Sequence, residues 1–398
     1  MTFRSASITF VVLALALLQA LNAFAASAPA VTGVRDFVEY WGASRLFLAG
    51  GNPYSPAELL AVEKAAGWAS AEPLMMWNPP WTLSFIFPFG FLDFSSGQFA
   101  WLLAQMLCIL VAGQILWRVY NPQTSVQPWR PWLLALTFVP IVFALILGQI
   151  TPFILLGLTA LLYFEREENW FAFGAALAIL SIKPHLVFLF WIVLVLWLWQ
   201  RKQWRVVLGA VAAGIGAAAI PLLFNAQIYS EYFALQRLEG ITQPFDWPAP
   251  TLGNAVNFFF EFGGRELQLL PALVGIVWLL FYWRRHKRSW RWSERLPMIL
   301  LVSVTTNFFV WTYDQVILLP ALIQGASWLA RRRLPWYRSG AALLYLGINL
   351  AHAVLRMFLA DELWYFWLAP AMLIAYLVYD REAAALRATG ANPMPGRS

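Results

Sequence analysis

The stretch Asp36-Phe-Val-Glu-Tyr40 places two carboxylates and a phenol in a segment whose pattern still reads as helix. Asp36 and Tyr40 lie one turn apart and so share a face. Two readings of Asp36 stand side by side. An Asp-x-x-Glu pattern ahead of an apolar run is a helix-start device, with acids suited to the first turn. A carboxylate at this place can equally be a base that takes a proton from a hydroxyl, and a capping carboxylate can still point an oxygen into a cavity. Glu39, Tyr40 and, in Gly51-Asn-Pro-Tyr54, Tyr54 are its expected supporting groups.

A second constellation is Lys183-Pro-His185, which interrupts a long apolar stretch. A lysine beside a proline kink can simply snorkel to an interface. Ionisable groups in apolar segments are nevertheless rare and by default functional. An ammonium and an imidazole together suit the phosphate of a lipid-linked substrate, one as a point charge and the other as a hydrogen-bond donor. Gly148-Gln149 and Tyr313-Asp-Gln315 are further polar breaks. Tyr313 and Asp314 read either as a polar hairpin at a membrane interface or as a second carboxylate lining a site. His352 and Arg356, one turn apart near a span end, read as an interface anchor first and a lipid-headgroup contact second.

The elements that must position these groups are membrane helices. Of the 398 residues 61% are hydrophobic and 12% charged, and the mean hydropathy is +0.64. That is more apolar surface than a soluble domain buries, so the class is an all-α polytopic membrane protein. The net charge of +7 sits in short basic runs between apolar segments, where it reports topology rather than a nucleic-acid partner. The one cysteine, Cys108, rules out an intramolecular disulfide. No P-loop, zinc spacing or dinucleotide fingerprint occurs, so neither a cofactor nor a metal is expected.

Residues 8–26 are apolar and longer than the roughly 7–15 residues of a signal-peptide core. They read as a retained first span, with a cleaved signal peptide as the other possibility. Residues 27–80 form an extracytoplasmic loop with helices around 36–49 and 56–68, the second opening at Ser55-Pro56. The apolar piece 79–92 is short for a span and reads as re-entrant. Apolar runs follow at 97–118, 131–147, 150–164, 169–183, 185–200, 205–224, 266–283, 297–313, 315–330, 338–358 and 362–380, with a second extracytoplasmic loop at 225–265.

Basic clusters at Arg201-Lys202, Arg284 to Arg288, Arg331 to Arg333 and Arg381 all fall inside when about 12 crossings are counted and 79–92 is not one of them. Residues 1–383 then make a single transmembrane domain and 384–398 a cytoplasmic tail. In this arrangement Asp36, Gln149, Lys183 and Asp314 all face the outside.

The order Asp36-Phe-Val-Glu-Tyr40, Gly51-Asn-Pro-Tyr54, Asn78-Pro-Pro80, Gly148-Gln149, Ile182-Lys-Pro-His185 and Tyr313-Asp-Gln-Val-Ile-Leu-Leu-Pro320 resembles glycosyltransferase family 87. That family includes polyprenyl-phosphate-mannose-dependent mannosyltransferases, and the resemblance covers roughly residues 30–320. It implies a GT-C fold in the plasma membrane with an active site opening outward, and a polyprenyl-phosphate sugar donor. It also implies an acidic base after the first span, a position that falls on Asp36. The expectation is an inverting hexosyl transfer, mannose foremost, to a lipid or glycan acceptor. Lys183 and His185 would hold the donor phosphate, with membrane lipids as the other partners. Rival readings are a secondary transporter or lipid flippase using Lys183 and Asp314 as coupling groups, or a silent member acting as a binding partner. Fold membership alone fixes neither sugar nor acceptor.

Overall fold

The computed structural model describes residues 35–121, 129–239, 244, 247–260, 266–330, 335–359 and 361–388. The predicted first span at 8–26, the basic cluster Arg331 to Arg333 and the end of the tail lie outside the described residues. The described residues are all helix, turn and loop, with no strand.

Two short helices come first, α1 (Phe37–Leu48) and α2 (Pro56–Ala65). Ser55 caps α2 through its hydroxyl, which accepts the Glu58 amide, and Pro56 stands in the first turn as the sequence suggests. Residues 80–91 follow as 3-10, α3 (Leu83–Ile86) and 3-10 pieces. They are too short to cross a bilayer and fold onto α1 instead. Irregular backbone at membrane depth must be satisfied by protein, and α1 supplies the donors. Ser44 donates to the Ile86 carbonyl at 3.3 Å, Arg45 to that of Gly90 at 3.1 Å and Trp41 to that of Leu92 at 3.0 Å. Gly90 is pressed so close that a Cβ there would lie 2.8 Å from the Ser44 backbone.

The bundle then runs α4 (Phe94–Tyr120), α5 (Trp129–Leu136), α6 (Val139–Leu147), α7 (Thr151–Arg166), α8 (Trp170–Leu180), α9 (Phe188–Arg201) and α10 (Trp204–Phe224). After α11 (Ile228–Leu235) and α12 (Leu252–Phe260) come α13 (Glu266–His286), α14 (Trp292–Thr305), α15 (Leu319–Ala330), α16 (Pro335–Phe358) and α17 (Leu368–Ala388). Five helices among the described residues are long and apolar enough to cross a membrane, or six with α5 and α6 counted as one span. Those two are bent by 70° at their junction. The expected continuous run 131–147 is thus broken at Thr137 and Phe138, where the Thr137 hydroxyl turns back to the Leu133 carbonyl at 2.7 Å and Pro140 opens the next helix.

The two ends of the bundle differ in chemistry. At one end Arg166 donates to the Arg118 carbonyl, Gln200 to that of Lys287 and Arg201 to that of Arg288, which gathers the basic clusters. At the other end lie the polar breaks. The helices that start or stop there are short: α7 has 16 residues, α8 11, α14 14 and α15 12. Those that bypass it, α4, α10 and α16, have 27, 21 and 24. A span needs about 20 residues, so these four helices stop short of a full span where the polar breaks lie.

Candidate active site

Gln149 is the hub, and its placement begins with Gly148. This residue ends α6 in the left-handed conformation (φ 74°), which a glycine adopts without a Cβ penalty. Trp101 of α4 donates its indole N–H to the Gly148 carbonyl at 2.7 Å, and Gln105 donates to the Gln149 carbonyl at 2.6 Å. With both carbonyls held, the Gln149 amide faces the end of α1. Its Nε2 donates to Asp36 Oδ2 at 2.6 Å, and its Oε1 accepts Lys183 Nζ at 3.0 Å and the Tyr40 hydroxyl at 3.2 Å.

Lys183 continues the network. Its Nζ lies 3.0 Å from Asp314 Oδ1 and 5.2 Å from the centroid of the Tyr313 ring. Asp314 also accepts from the Thr151 hydroxyl at 2.9 Å and, through Oδ2, from the Trp311 backbone at 3.1 Å. The Asp314 side chain is 1% exposed, so its charge is compensated within the protein. Of the two readings of the Tyr313-Asp314 break, the geometry makes Asp314 the partner of Lys183 and the fastener of the 3-10 turn Thr312–Leu318.

Asp36 stands at the N-cap of α1 yet forms no capping bond through its side chain. Burial raises its pKa above the ordinary carboxylate range. The Gln149 hydrogen bond and the Arg35 and Lys183 charges oppose that rise, and the Glu362 carboxylate adds to it. Glu39, one turn inward, is held well above the ordinary range by burial first and the Asp36 charge second. Both carboxyls are thus shifted upward, with burial the leading cause in each.

Tyr40 stacks on Trp101 with 5.4 Å between centroids, which fixes the aromatic wall behind the hub. Tyr54 is placed further out. Its hydroxyl donates to the Asn78 carbonyl at 3.1 Å, and Asn78 in turn donates to the Ile182 carbonyl at 3.3 Å. The Asn-Pro-Pro segment thus braces the turn that carries Lys183, and Tyr54 acts on it through that brace. His185 lies on the same turn with a buried Nε2 that has no hydrogen-bond partner among the described residues. Its backbone carbonyl accepts from Asn307 at 2.8 Å, and its ring sits 5.5 Å from Phe309.

The structure gives Arg356, which the sequence reading sets at the membrane interface, a partner that the reading does not name. Arg356 meets Glu362 at 2.5 Å, lies over the rings of Phe143 and Tyr365, and is joined to the Tyr313-Asp314 turn through the Thr312 hydroxyl on Glu362. His352 is fully buried rather than interfacial, its ring 4.4 Å from that of Tyr365. The inward direction of this face was carried by Asn349, His352 and Arg356 recurring at helical spacing on α16, a polar stripe along an otherwise apolar helix.

Chemically, the site offers a carboxyl and an ammonium bridged by one amide, with an unpartnered imidazole nitrogen on the turn that carries the ammonium. The sequence profile of glycosyltransferase family 87 matches residues 77–306, which hold Gln149, Lys183 and His185 but neither Asp36 nor Asp314. No curated protein and no solved structure matches the chain. The match is shorter than the motif order suggests, yet it spans more than half of the chain and includes the hub to which Asp36 and Asp314 attach. The chain belongs to glycosyltransferase family 87.

Proposed function

We propose that the protein is a membrane glycosyltransferase that moves a hexose, mannose foremost, from a polyprenyl-phosphate donor to a hydroxyl of a lipid or glycan acceptor. The observation that carries this reading is the hydrogen-bonded line Asp36–Gln149–Lys183, which fixes a base and a cation on opposite sides of one amide. Asp36 takes the acceptor proton as the acceptor oxygen bonds to the anomeric carbon. The bond from that carbon to the phosphate oxygen breaks with its electron pair, so configuration inverts. Lys183 and His185 receive the departing polyprenyl phosphate, whose new charge needs preorganised donors. Asp314 keeps Lys183 aimed, and Glu39 and Tyr40 hold the α1 side of the site.

We also infer the topology. The basic end of the bundle faces the cytoplasm by the positive-inside rule. Residues 8–26 add a first span, the total is about 12 crossings, and the Asp36 site faces the extracytoplasmic side of the plasma membrane. One transmembrane domain then carries the whole site, and the donor arrives with its sugar already on its lipid.

The test is incubation of purified protein with radiolabelled polyprenyl-phosphate sugars and a total lipid extract. The expected result is labelled lipid or glycan with inverted anomeric configuration. In the same assay Asp36→Asn, which keeps an acceptor for the Gln149 amide, should lower turnover by about 10²–10⁴ and leave folding intact. The acid limb of the parent's pH profile should lie above the ordinary carboxylate range, since a base with a raised pKa is idle until that pH is passed. Wild-type turnover by Asp36→Asn would remove Asp36 from the chemistry.

A further inference from the structure

A cavity of about 740 Å³ lies apart from the Asp36 site, between α4, α5, α15, α16 and α17 in the basic half of the bundle. On α15 it is lined from Ala321 to Ala330 and on α16 from Arg338 to Asn349. At 1.5 Å per residue these stretches make a slot roughly 14–17 Å long.

Three features define what the slot can hold. Its throat is apolar, and Asn349, Tyr345 and Tyr376, which reach its wall, already have partners. The Asn349 amide bonds the Val139 N–H and the Tyr345 carbonyl, the Tyr345 hydroxyl bonds the Leu134 carbonyl, and the Tyr376 hydroxyl bonds Gln324. The two charged residues lining it, Arg130 and Arg338, sit where α5 and α16 begin, at the basic end. Among the described residues no carboxylate lines the cavity, so neither guanidinium meets a counter-charge from them there. Arg338 uses two N–H groups on the Leu329 and Ala330 carbonyls that end α15, which fixes its position without neutralising it. Finally, Gly325 faces open space, with nothing within 4 Å of where its Cβ would be.

We propose that this slot binds one hydrocarbon chain of an anionic phospholipid from the leaflet at the basic end, with its headgroup phosphate on Arg130 and Arg338. An apolar tube with two arginines at its mouth, Arg338 held in place and neither facing a carboxylate among the described residues, is complementary to a chain ending in a phosphate. It is a poor fit for a zwitterionic lipid, whose own cation would be placed among the two arginines. The site is separate from the Asp36 network, and the proposal stands whether or not glycosyl transfer is confirmed.

The experiment uses the full chain in phosphatidylcholine vesicles containing a small fraction of phosphatidylglycerol or phosphatidylcholine with a mid-chain diazirine. After irradiation, labelled peptides are mapped. The anionic probe should label α15 and α16 about fivefold more than the zwitterionic one, the preference expected from roughly one arginine's worth of attraction. Arg130→Gln should bring the two probes towards parity. Gly325→Leu, which fills the slot, should remove labelling of these helices while thermal stability holds or rises. Ala342→Leu does the same from α16 should the first variant fold poorly. Equal labelling by both probes that Arg130→Gln leaves unchanged, labelling indifferent to either filling variant, or no label on α15 and α16 with either probe would each overturn the proposal. The last outcome would mean that another part of the chain, or nothing, fills the slot.

Discussion

At the scale of single residues, the Lys183–Asp314 pair changes what a lysine variant is expected to do. A lysine kept only for a substrate phosphate would lose donor affinity and nothing else. Here Lys183→Met strands a buried carboxylate, which costs about 3–5 kcal/mol when one partner of a buried pair is removed. Lys183→Met should therefore lower the unfolding temperature in detergent, and adding Asp314→Asn should restore most of it without restoring transfer. A single variant as stable as the parent would show that the pair carries no structural weight. Glu63 on α2 gives a separate handle on pH. It is fully buried, accepts the Leu74 amide at 3.0 Å through Oε2, and has its pKa raised by burial to about 8. The folded state thus holds a proton that the unfolded chain releases near the ordinary carboxylate pKa of 4.5. Stability from this group is complete below that value and is lost as pH rises towards about 8. Glu63→Gln, measured by thermal unfolding from pH 5 to 9, should flatten that decline.

At the scale of elements, α8 and α10 cross through a reciprocal pair of glycines. A Cβ on Gly174 would lie 2.0 Å from the Val206 carbonyl oxygen, and one on Gly209 would lie 2.0 Å from that of Phe171. Between membrane helices, where burial in lipid gives no hydrophobic drive, such close backbone approach is what packing rests on. Gly174→Ala or Gly209→Ala should each cost about 1–3 kcal/mol. The double variant should cost less than the sum, since either change already parts the helices. Elements of this kind vary in how far they can be read from sequence. Helix α2 was legible because Ser55 and Pro56 announce its start. The segment 79–92 was legible as too short to span because it is closed by Asp93, whose side chain accepts the Ser96 amide and caps α4. The break between α5 and α6 was not, because residues 131–147 stay apolar throughout and the bend comes from a threonine hydroxyl and a proline in the chain's third dimension. Within the site, Asp36, Gln149, Lys183 and Asp314 stood out as polar groups in apolar surroundings. Their pairing did not, since Lys183 and Asp314 are 131 residues apart. Tyr54 shared a motif with the site but reaches it only through Asn78.

At the scale of the whole molecule, the opposed chemistry of the two ends can be tested directly. With the buried Cys108 replaced by alanine, cysteine at the exposed Ala61 should react with an impermeant maleimide from the outside of intact cells, and cysteine at the exposed Ser289 should react only after permeabilisation. Reversed sidedness would put the site in the cytoplasm and end the case for a flipped lipid-linked donor. The short helices at the site end have a further implication. α7, α8, α14 and α15 fall short of a full span by roughly 6–14 Å at about 1.5 Å per residue. That shortfall cannot be made up by altering one loop, because whole turns would have to be added to four helices together. Under the proposed transfer, acceptors should therefore be sorted by stature, a hydroxyl carried close to the bilayer surface reacting and one on a tall, stiff headgroup not.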